Sequence, residues 1–367
     1  MSGDIILVIV IVTALAFDLT NGFHDTANVV ATAISTRALP AKPAIAAASL
    51  LNFAGAFISL KVADTVGKGF VDTHAVTTTV VFAGLVGAIA WNITTWYFGL
   101  PSSSSHALIG GLVGSVAAAS GFGAVDGNGL VGNLIVPAIA APIIAFITAG
   151  LSILLIYRIV GRLRPGPANR GFRLGQLASS GLLALSHGTN DAQKTMGVIT
   201  LALVAHGTIS ASAFHVPTWV IIASATAISV GTFSGGWRII RTLGTRIVKM
   251  DPAQGFAAQG AGAAVILAAS SVGYPLSTTH VISGGIMGAG AGKRVSAVRW
   301  GVAGNIVIGW VLTLPAAALL GAAVFALSSL FGHGAAGPLV IIVALLLALV
   351  AIFGRRAQQA AAAPAAS

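Results

Sequence analysis

Apolar residues run along this chain in long stretches, broken by short polar or basic segments. The stretches cover residues 5–36, 43–60, 74–100, 101–119 and 130–157, then 174–207, 216–236, 256–273, 275–291, 302–329 and 338–354. A helix crosses a bilayer with about 20 apolar residues, so the pattern predicts an all-α polytopic membrane protein of about ten to twelve membrane segments and leaves no room for a separate soluble domain. The stretches 5–36 and 174–207 are too long for one straight crossing at about 1.5 Å per residue, and each carries a polar motif in its interior. Both are expected to be broken helices.

The same trace contains a repeat. GFHDTANVVAT from Gly22 matches GTNDAQKTMGV from Gly188, and PSSSSHALIGGLVG from Pro101 matches PLSTTHVISGGIMG from Pro275, in the same order along the chain. Five apolar stretches precede the basic segment around Arg164 and five follow it, with one more at the end. Because five is odd, the second half is expected to lie inverted in the membrane. The predicted organisation is a first repeat over 1–160, a basic cytoplasmic loop over 161–173, a second repeat over 174–330, and an additional membrane helix and tail over 331–367.

Pro101 and Pro275 each follow one apolar stretch and open a glycine-rich one, which predicts two helical hairpins with their tips at the hydroxyl runs. Hydroxyls at a helix start satisfy the free N–H groups of the first turn, and that positive end of the helix suits an anion. In the other motif, Asp25, Asn28, Asn190 and Asp191 supply oxygen ligands for a cation or a proton. A carboxylate at membrane depth is costly unless paired, so it marks function by default. His24 beside Asp25 adds an imidazole that exchanges protons near neutrality; the alternative reading is that it only packs there and donates a hydrogen bond to a carbonyl. Lys194, three residues after Asp191, either snorkels or neutralises it, and the second reading is preferred. Serine, threonine and glycine in membrane helices commonly serve only packing, and the glycines of GGLVG and GGIMG are read so; duplication favours a functional reading for the hydroxyl tips and the two aspartates.

Composition supports this picture: 56% of residues are hydrophobic, 7% are charged and the chain holds 46 glycines, with a mean hydropathy of +0.95. The net charge of +11 does not point to nucleic acid, because the basic residues cluster in loops: Arg37 and Lys42, Arg158 to Arg173, Arg238 to Lys249, Lys293 to Arg299, and Arg355 with Arg356. By the positive-inside rule this places the N-terminus outside and the C-terminus in the cytoplasm. No cleavable signal is evident. The chain has no cysteine and no glutamate, and no cluster with metal-ligand spacing is expected. GAGAGKR, ending at Arg294, departs from a phosphate loop at Met287 and Arg294. The Ser/His content of the hairpins admits an intramembrane hydrolase as a remote alternative, disfavoured because the pattern occurs twice.

These four motifs together resemble the duplicated signatures of the inorganic phosphate transporter (PiT) family. The resemblance implies a symporter, not an enzyme, that carries inorganic phosphate through the cytoplasmic membrane, typically as a homodimer and without a bound cofactor. It implies substrate-site roles for Ser103, Ser104, Ser105, Ser277, Thr278, Thr279 and Gln193, and coupling-ion roles for Asp25, Asn28 and Asp191. His24 stands where sodium-coupled relatives have Asn, which resembles the bacterial low-affinity branch and implies proton coupling, with phosphate carried as a neutral complex of Mg or another divalent ion. Sodium coupling and sulfate permeation on the same scaffold are the alternatives.

Overall fold

The computed structural model describes residues 2–161, 165–332, 334–345 and 347. Among them there is no strand; one isolated bridge joins Val71 and Val125. The helices are α1 (Ser2–Ser35), α2 (Ala41–Gly55), α3 (Lys61–Lys68), α4 (Thr78–Phe98), α5 (Ser104–Ser120), α6 (Gly127–Leu130), α7 (Val136–Val160), α8 (Pro165–Ala205), α9 (Thr218–Ser234), α10 (Trp237–Arg241), α11 (Pro252–Ser271), α12 (Thr278–Lys293) and α13 (Trp300–Ser329). Four spans, Gly3–Ser35, Thr78–Phe98, Gly127–Val160 and Trp300–Ser329, are long and apolar enough to cross a membrane alone. A fifth is the bent pair Thr218–Ser234 and Trp237–Arg246. The other predicted stretches are helical too as far as they fall within the described residues, but α5 and α12, at 17 and 16 residues, are buried along most of their length. A helix enclosed by protein need not present a lipid-facing surface, so it stays short and rich in glycine and hydroxyls.

Neither α1 nor α8 is broken at its motif: both run as continuous helices, of 34 and 41 residues. The aspartates of their motifs find partners on neighbouring helices and, for Asp191, on Lys194, so no backbone has to unwind there to satisfy them. At about 1.5 Å per residue α1 is about 51 Å long. Such a helix is accommodated by tilt or by extension past the hydrocarbon, and the first turns of α8 do carry Arg170 and Arg173, both exposed. The stretch expected as a loop up to residue 173 is thus helical from Pro165 onward. Proline is pre-organised for a helix start, and nothing in ANRGFRLGQ stops the helix. The break falls elsewhere, between α9 and α10, at the pair Gly235 (φ +73°) and Gly236, where the chain bends by 59°.

The hairpin helices begin as expected. Ser103 Oγ accepts the His106 N–H (3.1 Å) and Ser277 Oγ accepts that of His280 (3.3 Å). Opposite the tips, Asp251 caps α11 in a reciprocal box with Gln254 and pairs with Lys293 at 2.9 Å. Burial pushes its carboxyl up, but Lys293, the Gln254 N–H and the Tyr157 hydroxyl outweigh that and hold it below its ordinary range.

Packing follows the repeat. α1 lies on α9 as α8 lies on α2, α5 packs on α13 as α12 packs on α7, and α4 joins the first of these groups as α11 joins the second. Glycines set the approach. A Cβ on Gly22 would sit 2.3 Å from the Ile228 carbonyl, and one on Gly188 would sit 2.1 Å from that of Asn52. Asn52 in turn donates to Thr232 Oγ1 at 2.8 Å, tying α2 to α9 between the two contacts. A shorter apolar helix, Ala336–Leu345, follows α13. The remainder of the additional C-terminal segment, with Arg355 and Arg356, lies outside the described residues, as do Arg162 and Arg164.

Candidate functional site

The two long helices present polar faces to the two hairpin tips. On α1, Asp25 and Asn28 lie three residues apart and so share one face. Asp25 Oδ2 accepts from Ser104 at 2.6 Å, and its Oδ1 accepts from Thr279 at 3.3 Å and lies 2.7 Å from His24 Nδ1. Asn28 donates its amide to Thr279 Oγ1 at 2.9 Å and to Thr278 Oγ1 at 3.3 Å. Asp25 therefore binds both hairpins, while Asn28 reaches the hairpin of the other half.

On α8 the matching face carries His187, Asp191 and Lys194. Asp191 Oδ1 accepts from the Lys194 ammonium at 2.5 Å, and its Oδ2 accepts from Thr278 at 3.2 Å. His187 Nε2 lies 3.0 Å from the same Oδ2, off the line of a hydrogen bond. Lys194 also donates to Ser105 Oγ at 2.5 Å and to the Leu276 carbonyl at 2.7 Å. The cross-contacts are reciprocal in position and different in charge: α1 holds the second tip with the neutral Asn28, and α8 holds the first with a cation. None of the residues in this group is more than 2% exposed. The group is shielded from solvent.

The sequence expectations divide accordingly. Asp25, Asn28, Asp191, Ser104, Ser105, Thr278 and Thr279 meet in one group, with His24 at its edge, where its Nε2 lies 3.2 Å from Thr95 Oγ1. Ser103 and Ser277 act as helix caps at the margin. Asn190, in the place equivalent to His24, donates to Ser270 at 2.8 Å and to the Tyr274 carbonyl at 3.2 Å, holding its own hairpin. Gln193 stands outside the group: its carbonyl accepts from Val62 N and Ala63 N, at the start of α3. The expected Lys194–Asp191 pairing is present.

Two features lie outside the residues expected to act. His187 is four residues before Asp191 and seven before Lys194, a helical spacing that could have placed it on this face. In addition, one ligand atom each from Asp25, His187 and Asp191 come within 4.8 Å of one another, a grouping able to hold a cation, although no metal-spaced cluster was expected. It is assembled from two helices, so no local spacing announces it. As it stands the group holds two carboxylates against one ammonium. An anion enters such a place only with added positive charge, even with two helix N-termini directed at it.

Hydrolytic chemistry does not fit. Ser104 donates to a carboxylate, while the His106 ring meets His280 edge-on, with centroids 4.7 Å apart, and His280 stacks on Trp310. His24 Nε2 does come within 3.4 Å of the tip residue Ser102, but that hydroxyl is turned to Thr95 Oγ1 at 2.8 Å.

Comparison with known proteins agrees. The model of the phosphate transporter family matches residues 21–321. A Mycobacterium tuberculosis (strain H37Rv) protein named "probable low-affinity inorganic phosphate transporter" is 51% identical over 327 residues, covering 89% of this chain and 78% of that protein. A Bacillus subtilis (strain 168) protein of the same name is 45% identical over 330 residues, covering 89% and 98%. A solved structure titled "The sodium-dependent phosphate transporter" superposes with a TM-score of 0.78 at 24% identity, covering 89% of this chain and 99% of that one, which shows the shared fold. The chain is an integral membrane protein that belongs to the phosphate transporter family.

Proposed function

We propose that this protein imports inorganic phosphate across the bacterial cytoplasmic membrane by symport with protons. The observation that carries this is the meeting of two hydroxyl-rich helix N-termini on Asp25 and Asp191. Phosphate takes the place of the aspartates as acceptor for Ser104, Thr278 and Thr279, and of the Leu276 carbonyl as acceptor for Ser105, with Lys194 and Asn28 as further donors. The carboxylates so released take the accompanying positive charge. His24, 2.7 Å from Asp25 Oδ1, is the group we assign to proton exchange. Where phosphate travels as a neutral complex with a divalent ion, Asp25, His187 and Asp191 are the residues to meet the metal of that substrate. The two halves lie inverted, with the N-terminus outside and the C-terminus cytoplasmic, and two copies associate.

The test is uptake of labelled phosphate into proteoliposomes under an imposed pH gradient without sodium, with sulfate as competitor. Accumulation driven by the pH gradient and insensitive to sulfate is expected. His24→Asn should abolish proton-driven accumulation while phosphate exchange persists. Accumulation driven only by a sodium gradient overturns proton coupling, and full competition by sulfate overturns phosphate selectivity.

A further inference from the structure

The polar stripe of α1 does not end at Asp25. Asp18, Asn21, Asp25 and Asn28 recur at intervals of three, four and three residues, which keeps all four on one face. Asp18 is therefore two turns, about 10 Å, along the axis from Asp25. It is wholly buried, and no well-aligned hydrogen bond reaches either of its carboxylate oxygens. Its polar neighbours are Asn21 on the same helix and Thr195 on α8. Asn21 Oδ1 and Thr195 Oγ1 are likewise buried and unpartnered. Thr195 is unusual in this respect, since the hydroxyls of Thr189 and Thr200 on the same helix bond back to the carbonyl four residues earlier.

A carboxylate in this position requires compensating charge. The nearest cation cannot supply it, because an ammonium has three N–H donors and those of Lys194 are directed to Ser105, Asp191 and Leu276. The charged groups acting on Asp18 are that lysine and Asp191, both from α8. Nor does packing require these polar side chains. Gly188 and Asp191 stand 166 residues after Gly22 and Asp25, so Ala184 is the equivalent of Asp18 and Val29 that of Thr195. Both are buried apolar residues, and although His187 stands in the place of Asn21, the fold is made there without a carboxylate or a hydroxyl.

We propose that Asp18, Asn21 and Thr195 form a second cation site of the transport cycle, separate from the Asp25–Asp191 group, which takes one monovalent positive charge as a sodium ion or a proton. The site rests on the reading of this chain as a cation-coupled phosphate transporter, and it extends that reading to a residue outside the four sequence motifs. An oxygen-only set with one formal charge suits either occupant: sodium coordinated by the four oxygens, or a proton on Asp18 shared with Asn21 or Thr195.

Infrared difference spectra of the purified full chain, with no phosphate present, test this in two arms. One adds sodium at fixed pH; the other changes pH without sodium. One arm should show a carboxyl signal in the wild type that is lost in Asp18→Asn, and that arm names the cation. Thr195→Val keeps the shape but removes one oxygen, and should require about tenfold or more cation for the same signal. It decides the matter if Asp18→Asn does not fold. Spectra unchanged from wild type in the folded variants overturn the proposal. Phosphate counterflow in proteoliposomes is read alongside: its absence in the wild type with the Asp18 signal intact would count against phosphate transport and not against the cation site.

Discussion

Replacing Lys194 by Met keeps an unbranched stem and removes the ammonium that joins both tips to Asp191. That ammonium donates to Asp191 Oδ1 and Ser105 Oγ, both at 2.5 Å, and to the Leu276 carbonyl at 2.7 Å. With charges about 3 Å apart and an effective dielectric constant near 20, the ion pair alone is worth about 5 kcal/mol. Removing one partner of a buried pair costs about 3 to 5 kcal/mol in practice, because the other charge is left uncompensated. After the change Asp191 retains only the Thr278 hydroxyl at 3.2 Å and the misaligned His187 ring. Lys194→Met should therefore lose about 3 to 5 kcal/mol of stability. Removing both charges leaves neither group stranded, so Asp191→Asn with Lys194→Met should recover to within about 2 kcal/mol of wild type. Unfolding of the purified chain in mixed micelles, followed by tryptophan fluorescence, measures both. Phosphate uptake should be lost in each, separating the stability effect from function. A single variant within about 1 kcal/mol of wild type, or a double variant no more stable than the single, would refute the argued pairing.

Two further outcomes follow from the site and its frame. Ser104→Ala and Thr278→Ala should each weaken phosphate binding by about tenfold to a hundredfold, the value of one hydrogen bond to a charged group, in an equilibrium binding measurement with folding unchanged; normal affinity in both would remove the tips from the site. Gly22→Ala and Gly188→Ala should abolish folded protein on size-exclusion chromatography, since the added methyl meets a backbone carbonyl at 2.3 and 2.1 Å, whereas Gly260→Ala, with nothing within 4 Å, should elute as wild type.

What could be read along the chain was what helices make local. Most apolar stretches coincide with helices, although α2 stops at Gly55 and α8 starts at Pro165; the proline-serine runs cap α5 and α12 through Ser103 and Ser277, and Asp191 with Lys194 pair because three residues make about one helical turn. The duplication pointed to both aspartates and both tips. Where local signals conflicted with tertiary contacts, the contacts prevailed. The polar interiors of α1 and α8 suggested unwound backbone, yet the helices persist because Ser104, Thr278 and Thr279 satisfy the aspartates from across the interface. Gln193 matched a motif but turned to the start of α3, whose free N–H groups required an acceptor. His187 carried no signal of its own until α1 and α8 brought Asp25 and Asp191 to the same point. Asn28 meets Thr278 and Thr279 across 250 and 251 residues of chain, and Asp18 meets Thr195 from the other half. Sequence spacing orders side chains along one helix, but which faces are pressed together depends on where glycine lets the backbones approach, and that is decided only by the packed whole.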